Sequence, residues 1–213
     1  MNSSIKWIAS KINEHDEVIK TEYDQINNLL IVTRKKGLSF TLAVMSEKIV
    51  SLSDIPKDYL QNKVNFLVNI PKDPFVRGNV YETLKNNKIC FGGVGDLFRY
   101  INQDYNWPYE NPEVRFILRG VSQHDKVSQI KRLDSRRYEI ERYFGESVII
   151  LALNDYDLSA ESVRNGKELY KDFSIILTSN PNARVTSDAY RVAKELNVRI
   201  LSFGQLLGYL KHG

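Results

Sequence analysis

The sequence predicts an α/β protein made of two related strand-helix modules with locally parallel strands. Three observations predict it. The C-terminal half alternates short apolar runs with segments of helical period. Three β-leaning runs near the start are separated by turn chemistry. The chain has 213 residues, 42% hydrophobic and 26% charged, which suffices for a buried core without metal or disulfide.

Residues 4–13 set Ile5, Ile8 and Ile12 at helical spacing with Trp7 at the margin, predicting a short amphipathic helix. Runs at 18–23, 29–33 and 39–45 read as strands. Between them lie Asp24-Gln25-Ile26-Asn27-Asn28 and Arg34-Lys35-Lys36-Gly37, so an antiparallel meander is expected. A strand at 65–70, a helix at 78–87, a strand at 89–91 and a helix at 95–101 follow. Segment 102–113 holds Trp107-Pro108 and Asn111-Pro112, and proline pushes the residue before it away from helix. The module boundary is placed there, giving modules 1–106 and 107–213. Beyond it the pattern predicts a strand at 114–118, a long helix at 125–144, a strand at 147–153 and a helix at 159–170. A strand at 173–178, a helix at 186–196, a strand at 198–202 and a helix to Leu210 complete the chain.

Laying 65–101 on 174–210 without gaps matches Val76 with Val185, Tyr81 with Tyr190, Lys85 with Lys194, Gly95 with Gly204, Leu97 with Leu206 and Tyr100 with Tyr209. The apolar run Phe66-Leu67-Val68 falls on Ile175-Ile176-Leu177. Any two strand-helix-strand-helix units share such periodicity, and an internal repeat, a duplicated βαβα core, is the alternative account. Either reading puts a crossover helix between parallel strands.

Composition narrows the function. A single cysteine, Cys90, excludes an intramolecular disulfide and a multi-cysteine zinc site, so a reducing, cytoplasmic setting is expected. No apolar stretch approaches a membrane span and the start has no signal-peptide core, so no membrane partner is expected. The net charge of +4 is compatible with DNA or RNA but does not argue for either.

The loop Gly92-Gly93-Val94-Gly95-Asp96 enters a helix, but its order is neither the dinucleotide fingerprint nor a Walker loop. It reads as a tight strand-to-helix turn capped by Asp96. No Gly-x-Ser-x-Gly elbow is present, and Cys90 lies within an apolar strand. His15, His124 and His212 stand apart without ligand-spaced partners and are expected in solvent. Asp155 and Asp157 follow the strand ending at Leu153, and Asp24 ends an N-terminal strand. These are the candidate acids for metal-dependent hydrolysis, and they suit turn and helix-entry positions equally.

From Val148 the order of Val-Ile-Ile-Leu-Ala-Leu-Asn-Asp, a helix with Val163 and Leu169, Phe173-Ser-Ile-Ile-Leu-Thr-Ser179, the helix at 185–196 and Val198-Arg-Ile-Leu-Ser202 resembles the latter part of restriction-endonuclease-like domains of the Mrr type. The likeness covers just under a third of the chain, from Val148 onward. In that family a strand bearing Glu-x-Lys precedes a helix, a strand ending in small hydroxyl residues, and a helix leading to a last short strand. The chain has Ala152-Leu153-Asn154 where Glu-x-Lys belongs. In the first module Asp24 can stand for the family's first aspartate, but the third strand reads Thr41-Leu42-Ala43-Val44-Met45. The resemblance therefore implies a non-catalytic relative that binds nucleic acid or a protein partner, with no cofactor and no metal site. An active nuclease using Mg or Mn through displaced acids is the alternative, and a small-molecule-binding domain a further one. Homo-oligomerisation is also open. For nucleic acid, the candidate contacts are Lys131, Arg132 and Arg136 on the expected long helix, with Arg34, Lys35 and Lys36 at a hairpin tip. Asp134, Glu139 and Glu141 interleave with the helix cations, so a solvated helix face explains them as well.

Overall fold

The stripe of Ile5, Ile8 and Ile12 folds Ser3–Asn13 as helix α1, with Asn2 Oδ1 accepting the Ile5 N–H at 2.8 Å as its N-cap. The computed structural model describes residues 2–61 and 64–212. The chain divides into two units, Met1–Asn111 and Pro112–Gly213.

In the first unit β1 (Val18–Asp24), β2 (Leu29–Arg34) and β3 (Phe40–Met45) form the expected antiparallel meander. The short β4 (Ile49–Val50) and α2 (Lys57–Gln61) lead to β5 (Phe66–Asn69), parallel to β3. Next come β6 (Phe75–Val76), paired with β4, then α3 (Gly78–Asn86), β7 (Cys90–Gly92), parallel to β5, and α4 (Val94–Ile101). The sheet order is β1-β2-β3-β5-β7. All four residues of β5 are buried because both faces are covered. Phe66 and Val68 join Ile5, Ile8, Leu97 and Tyr100 on one face, while Leu67 joins Val76, Val80 and Leu84 on the other.

The second unit repeats this order of elements. Helix α5 (Pro112–Ser122) precedes β8 (Val127–Arg132), β9 (Arg137–Arg142) and β10 (Val148–Leu153). Then follow β11 (Asp157–Leu158), α6 (Ala160–Tyr170), β12 (Ile175–Thr178), β13 (Arg184–Val185), α7 (Ser187–Glu195), β14 (Arg199–Ser202) and α8 (Phe203–His212). Its sheet order is β14-β12-β10-β9-β8, with β10, β12 and β14 parallel. Helix α1 begins at Ser3 and α5 at Pro112, β5 at Phe66 and β12 at Ile175, α3 at Gly78 and α7 at Ser187, β7 at Cys90 and β14 at Arg199. One constant offset relates all four pairs.

Two expected elements are of the wrong type. The strand expected at 114–118 is helix α5, whose buried Val114, Ile117 and Val121 have helical spacing and whose first residue is Pro112. The run Val-Arg-Phe-Ile-Leu is too short for periodicity alone to decide. The long helix expected at 125–144 is the hairpin β8–β9. A bulge between Val127 and Gln129 shifts the strand's alternation, so Val127 and Ile130 share the inner face despite their odd separation. That spacing imitates a helix. Beyond the turn, buried Tyr138 and Ile140 alternate with part-exposed Arg137, Glu139 and Glu141 as a half-buried strand requires.

His15 and His124 are not solvent residues. Each ends the turn after the first helix of its unit, within His15-Asp16-Glu17-Val18 and His124-Asp125-Lys126-Val127. His15 Nδ1 accepts the Glu17 N–H and His124 Nδ1 the Lys126 N–H, both at 3.2 Å. His124 Nε2 also lies 3.1 Å from Leu207 O. The side chain of His212 lies outside the described residues.

The glycine loop is a strand-to-helix turn. Asp96 Oδ2 accepts the Gly93 N–H at 3.2 Å, and Oδ1 accepts Tyr109 OH at 2.6 Å and Asn111 Nδ2 at 2.9 Å. A Cβ at Gly92 would stand 2.4 Å from Asp96 Cβ, so that close approach requires glycine. Cys90 is 1% exposed, and burial pushes its thiol up to about 12. A disulfide reagent at pH 8 should therefore label the native protein at least ~100-fold more slowly than the chain in denaturant. Rapid stoichiometric labelling of the native protein would contradict this burial. No helix of the described residues is long and apolar enough to cross a membrane.

Candidate functional site

Open α/β sheets offer ligands the carboxyl ends of their parallel strands. In the second unit the chain leaves β10 at Asn154 and β12 at Ser179, and both side chains converge on Glu113 in the first turn of α5. Glu113 Oε1 accepts Ser179 Oγ–H at 2.5 Å and Arg136 Nη1–H at 3.3 Å, while Oε2 accepts Asn154 Nδ2–H at 3.1 Å. The Glu113 and Arg136 side chains are 20% and 28% exposed, so the pair sits partly out of water. Helix α5, the start of β9 and the ends of β10 and β12 thus each contribute one polar group.

Beside it, Asp134 is 1% exposed and shapes the β8–β9 turn. It accepts the Arg136 N–H at 3.0 Å, the Arg137 N–H at 2.8 Å and Arg137 Nε–H at 2.7 Å. Magnesium or manganese would require several anionic or carbonyl oxygens free to turn to the ion. Here one carboxylate is bound to a guanidinium, an amide and a hydroxyl, and the neighbouring one to another guanidinium. That set does not fit a hard divalent cation. Among the described residues no group of three or more His, Cys, Asp or Glu is arranged to hold a metal.

The same place in the first unit is open. Ser4 is the second residue of α1 as Glu113 is of α5, and Ser46 follows β3 as Asn154 follows β10. With Asn2, Glu47, Asp54 and Tyr59 they line a groove of about 270 Å³ between the start of α1 and the end of β3. Buried Asn69 closes the end of β5, its Oδ1 accepting the Glu47 N–H at 2.9 Å and its Nδ2 donating to Glu47 O at 2.8 Å.

The acids read from the sequence lie elsewhere. Asp24 closes the β1–β2 turn, accepting the Ile26 and Asn27 N–H groups at 3.0 and 3.2 Å and Asn27 Nδ2–H at 2.6 Å. The Asn27 side chain is the main cause holding its carboxyl below the usual range. Asp155 is part-exposed between β10 and β11, and Asp157 lies on β11 opposite Arg184. At the expected Glu-x-Lys position Ala152 is buried and Asn154 donates to Glu113.

The candidate cations divide sharply. Arg34 is 4% exposed. Its Nε and Nη2 donate to Leu38 O at 2.9 and 2.6 Å, Nη1 to Tyr100 O at 3.2 Å and Gln103 O at 2.5 Å, and Nη2 to Asn106 Oδ1 at 2.6 Å. It also lies 5.2 Å from the Phe40 ring centre. The guanidinium is an internal fastening of the β2–β3 tip, which leaves Lys35 and Lys36 exposed beyond it. Lys131 and Arg132 are successive residues of β8, not neighbours on a helix face, so they point to opposite sides of the sheet. Lys131 is exposed opposite Glu139, whereas Arg132 donates to Asp134 O at 3.0 Å and Ser135 O at 3.1 Å. Arg136 belongs to the Glu113 cluster.

Sequence reading missed Glu113 because it was assigned to the interrupting loop, and Ser179 because a hydroxyl after a strand is commonplace. The available signal was the offset between 65–101 and 174–210, which, carried back to the first helix, makes Pro112 a helix start and Glu113 a first-turn acid. Comparison with known protein families, with curated proteins and with solved structures finds no match to this chain.

Proposed function

We propose that the protein is a non-catalytic, restriction-endonuclease-like binding protein, formed by duplication of one unit, that engages nucleic acid or a protein partner without cutting. The observation that carries this reading is Glu113, held by Arg136, Asn154 and Ser179 at the strand end where the resemblance calls for Glu-x-Lys. A carboxylate fixed this way is poorly placed to bind a metal or activate water. The constant offset between the helices and strands of the two units supports duplication.

For nucleic acid the contacts are Lys35, Lys36 and Lys131, which are exposed. A protein partner is favoured by the engagement of Arg34, Arg132 and Arg136 with oxygens of this chain. The purified protein should leave plasmid and linear DNA intact in magnesium or manganese. Cleavage abolished by Glu113→Ala or Asp155→Ala would overturn the proposal. Where DNA binds at low salt, replacing Lys35, Lys36 and Lys131 with Gln should flatten the slope of log affinity against log salt by about 0.9 per lost phosphate contact. An unchanged slope would remove these residues from the interface.

A further inference from the structure

We propose that the outer edge of β14 binds an acidic, extended peptide segment of a partner protein, which joins the second sheet as an additional strand. This deepens the protein-partner reading above and rests on it.

Strand β14 is last in its sheet, paired on one side only, in parallel, with β12. In a parallel ladder alternate residues direct their N–H and C=O to opposite sides. Arg199 N donates to Ser174 O at 3.0 Å, which turns Arg199 and Leu201 toward β12 and aims the N–H and C=O of Ile200 outward. A groove of about 550 Å³ runs along this edge between β14 and α7, lined by Tyr190, Ala193, Lys194, Asn197, Arg199 and Ile200 among others. It therefore offers backbone pairing groups, an apolar floor and a polar rim, the three parts that strand addition uses.

The charge of the rim selects the occupant. Both charged residues lining the groove are cations, Lys194 from α7 and Arg199 from β14, the latter with its guanidinium 5.1 Å from the Tyr209 ring centre, a contact that leaves it charged. The neighbouring acids of α7, Asp188 and Glu195, are engaged by Arg191 at 3.1 and 3.0 Å. An incoming strand with carboxylates meets complementary charge, whereas a second copy of β14 would bring Arg199 and Lys194 against their own kind, which is unfavourable across a strand pair. The charges thus admit an acidic strand and oppose self-pairing.

The corresponding edge of the first unit is built differently. Tyr81, which the repeat aligns with Tyr190, packs edge-on against Phe91 with ring centres 5.7 Å apart, and Phe91 occupies the place of Ile200. Tyr190 is instead 52% exposed beside the groove. Two units with the same order of elements therefore differ where an added strand would sit.

The test uses the full chain and fluorescein-labelled heptapeptides read by anisotropy at low salt. Thr-Glu-Val-Glu-Val-Glu-Thr should bind, and the same peptide with Lys for Glu should bind at least ~10-fold more weakly. Replacing the central Val-Glu pair with Pro-Pro removes a donor facing β14 in either register and should also weaken binding by about 10-fold. Lys194→Glu with Arg199→Gln should reverse the preference between acidic and basic peptides while circular dichroism and melting stay near the parent's. No binding of the acidic peptide, indifference to proline, or an unchanged charge preference in the double variant would overturn the proposal. So would sedimentation showing edge-to-edge dimers that the peptide does not disperse, or a DNA oligonucleotide displacing the peptide from the groove. DNA cleavage by the chain would refute the non-catalytic reading and leave these peptide results to be judged separately.

Discussion

Replacing Arg34 with alanine is expected to lower folding stability by about 2 to 4 kcal/mol, because several partly buried oxygens lose a charged donor together. The guanidinium makes bonds to Leu38 O, Tyr100 O, Gln103 O and Asn106 Oδ1. It ties the β2–β3 tip to the segment after α4. Truncation leaves several of these oxygens without a donor and removes the cation from the Phe40 and Tyr100 rings. Lys35→Ala, at the adjacent exposed position, should change stability by under ~0.5 kcal/mol. Denaturant unfolding checks both. A loss below ~1 kcal/mol for Arg34→Ala would show that the network is dispensable.

The second large effect separates two glycines at equivalent turns. Gly37 has φ 78° and Gly145 φ 90°, so alanine at either costs about 1 kcal/mol in backbone strain. Their surroundings differ. A Cβ on Gly37 would lie 2.5 Å from the backbone oxygen of Asp104 and 2.9 Å from its carbonyl carbon, within the segment Arg34 anchors. A Cβ on Gly145 has its three nearest neighbours in the Arg142 guanidinium, the closest 3.0 Å away, and that side chain can give by a few tenths of an ångström where the Asp104 backbone cannot. Gly37→Ala should therefore cost about 2 to 4 kcal/mol and Gly145→Ala about 1 kcal/mol. On the Arg34→Ala background the cost at Gly37 should shrink, because the anchored segment is then free to move aside. Equal costs at both glycines would mean that φ alone decides.

The sequence was most legible where one period dominated. Ile5, Ile8 and Ile12 marked α1, and the four buried residues of β12 marked a two-sided parallel strand. It was least legible between 112 and 144. There a bulge put Val127 and Ile130 on one face at a helix-like spacing, and the short apolar run at the start of α5 carried too little period to separate helix from strand. The candidate site was hidden for a different reason. Glu113, Arg136, Asn154 and Ser179 come from four places in the chain and are joined only by the fold. Arg34, conversely, looked like a surface cation because its acceptors at Tyr100, Gln103 and Asn106 are remote in sequence, within and just after α4.

The two hairpin tips share one fastening. In the first, Arg34 Nε donates to the carbonyl of Leu38 across the turn that Gly37 makes. In the second, Arg142 Nε does the same to Glu146 at 2.9 Å, across the turn made by Gly145. What these fastenings display is Lys35-Lys36 in the first and Tyr143-Phe144 in the second, all exposed. The arginine and glycine hold the shape of each turn, so the two residues between them differ between the tips while the turn stays the same. One handle thus carries two different bits, cationic in the first unit and aromatic in the second, and the chemistry offered to solvent changes while the backbone beneath it does not.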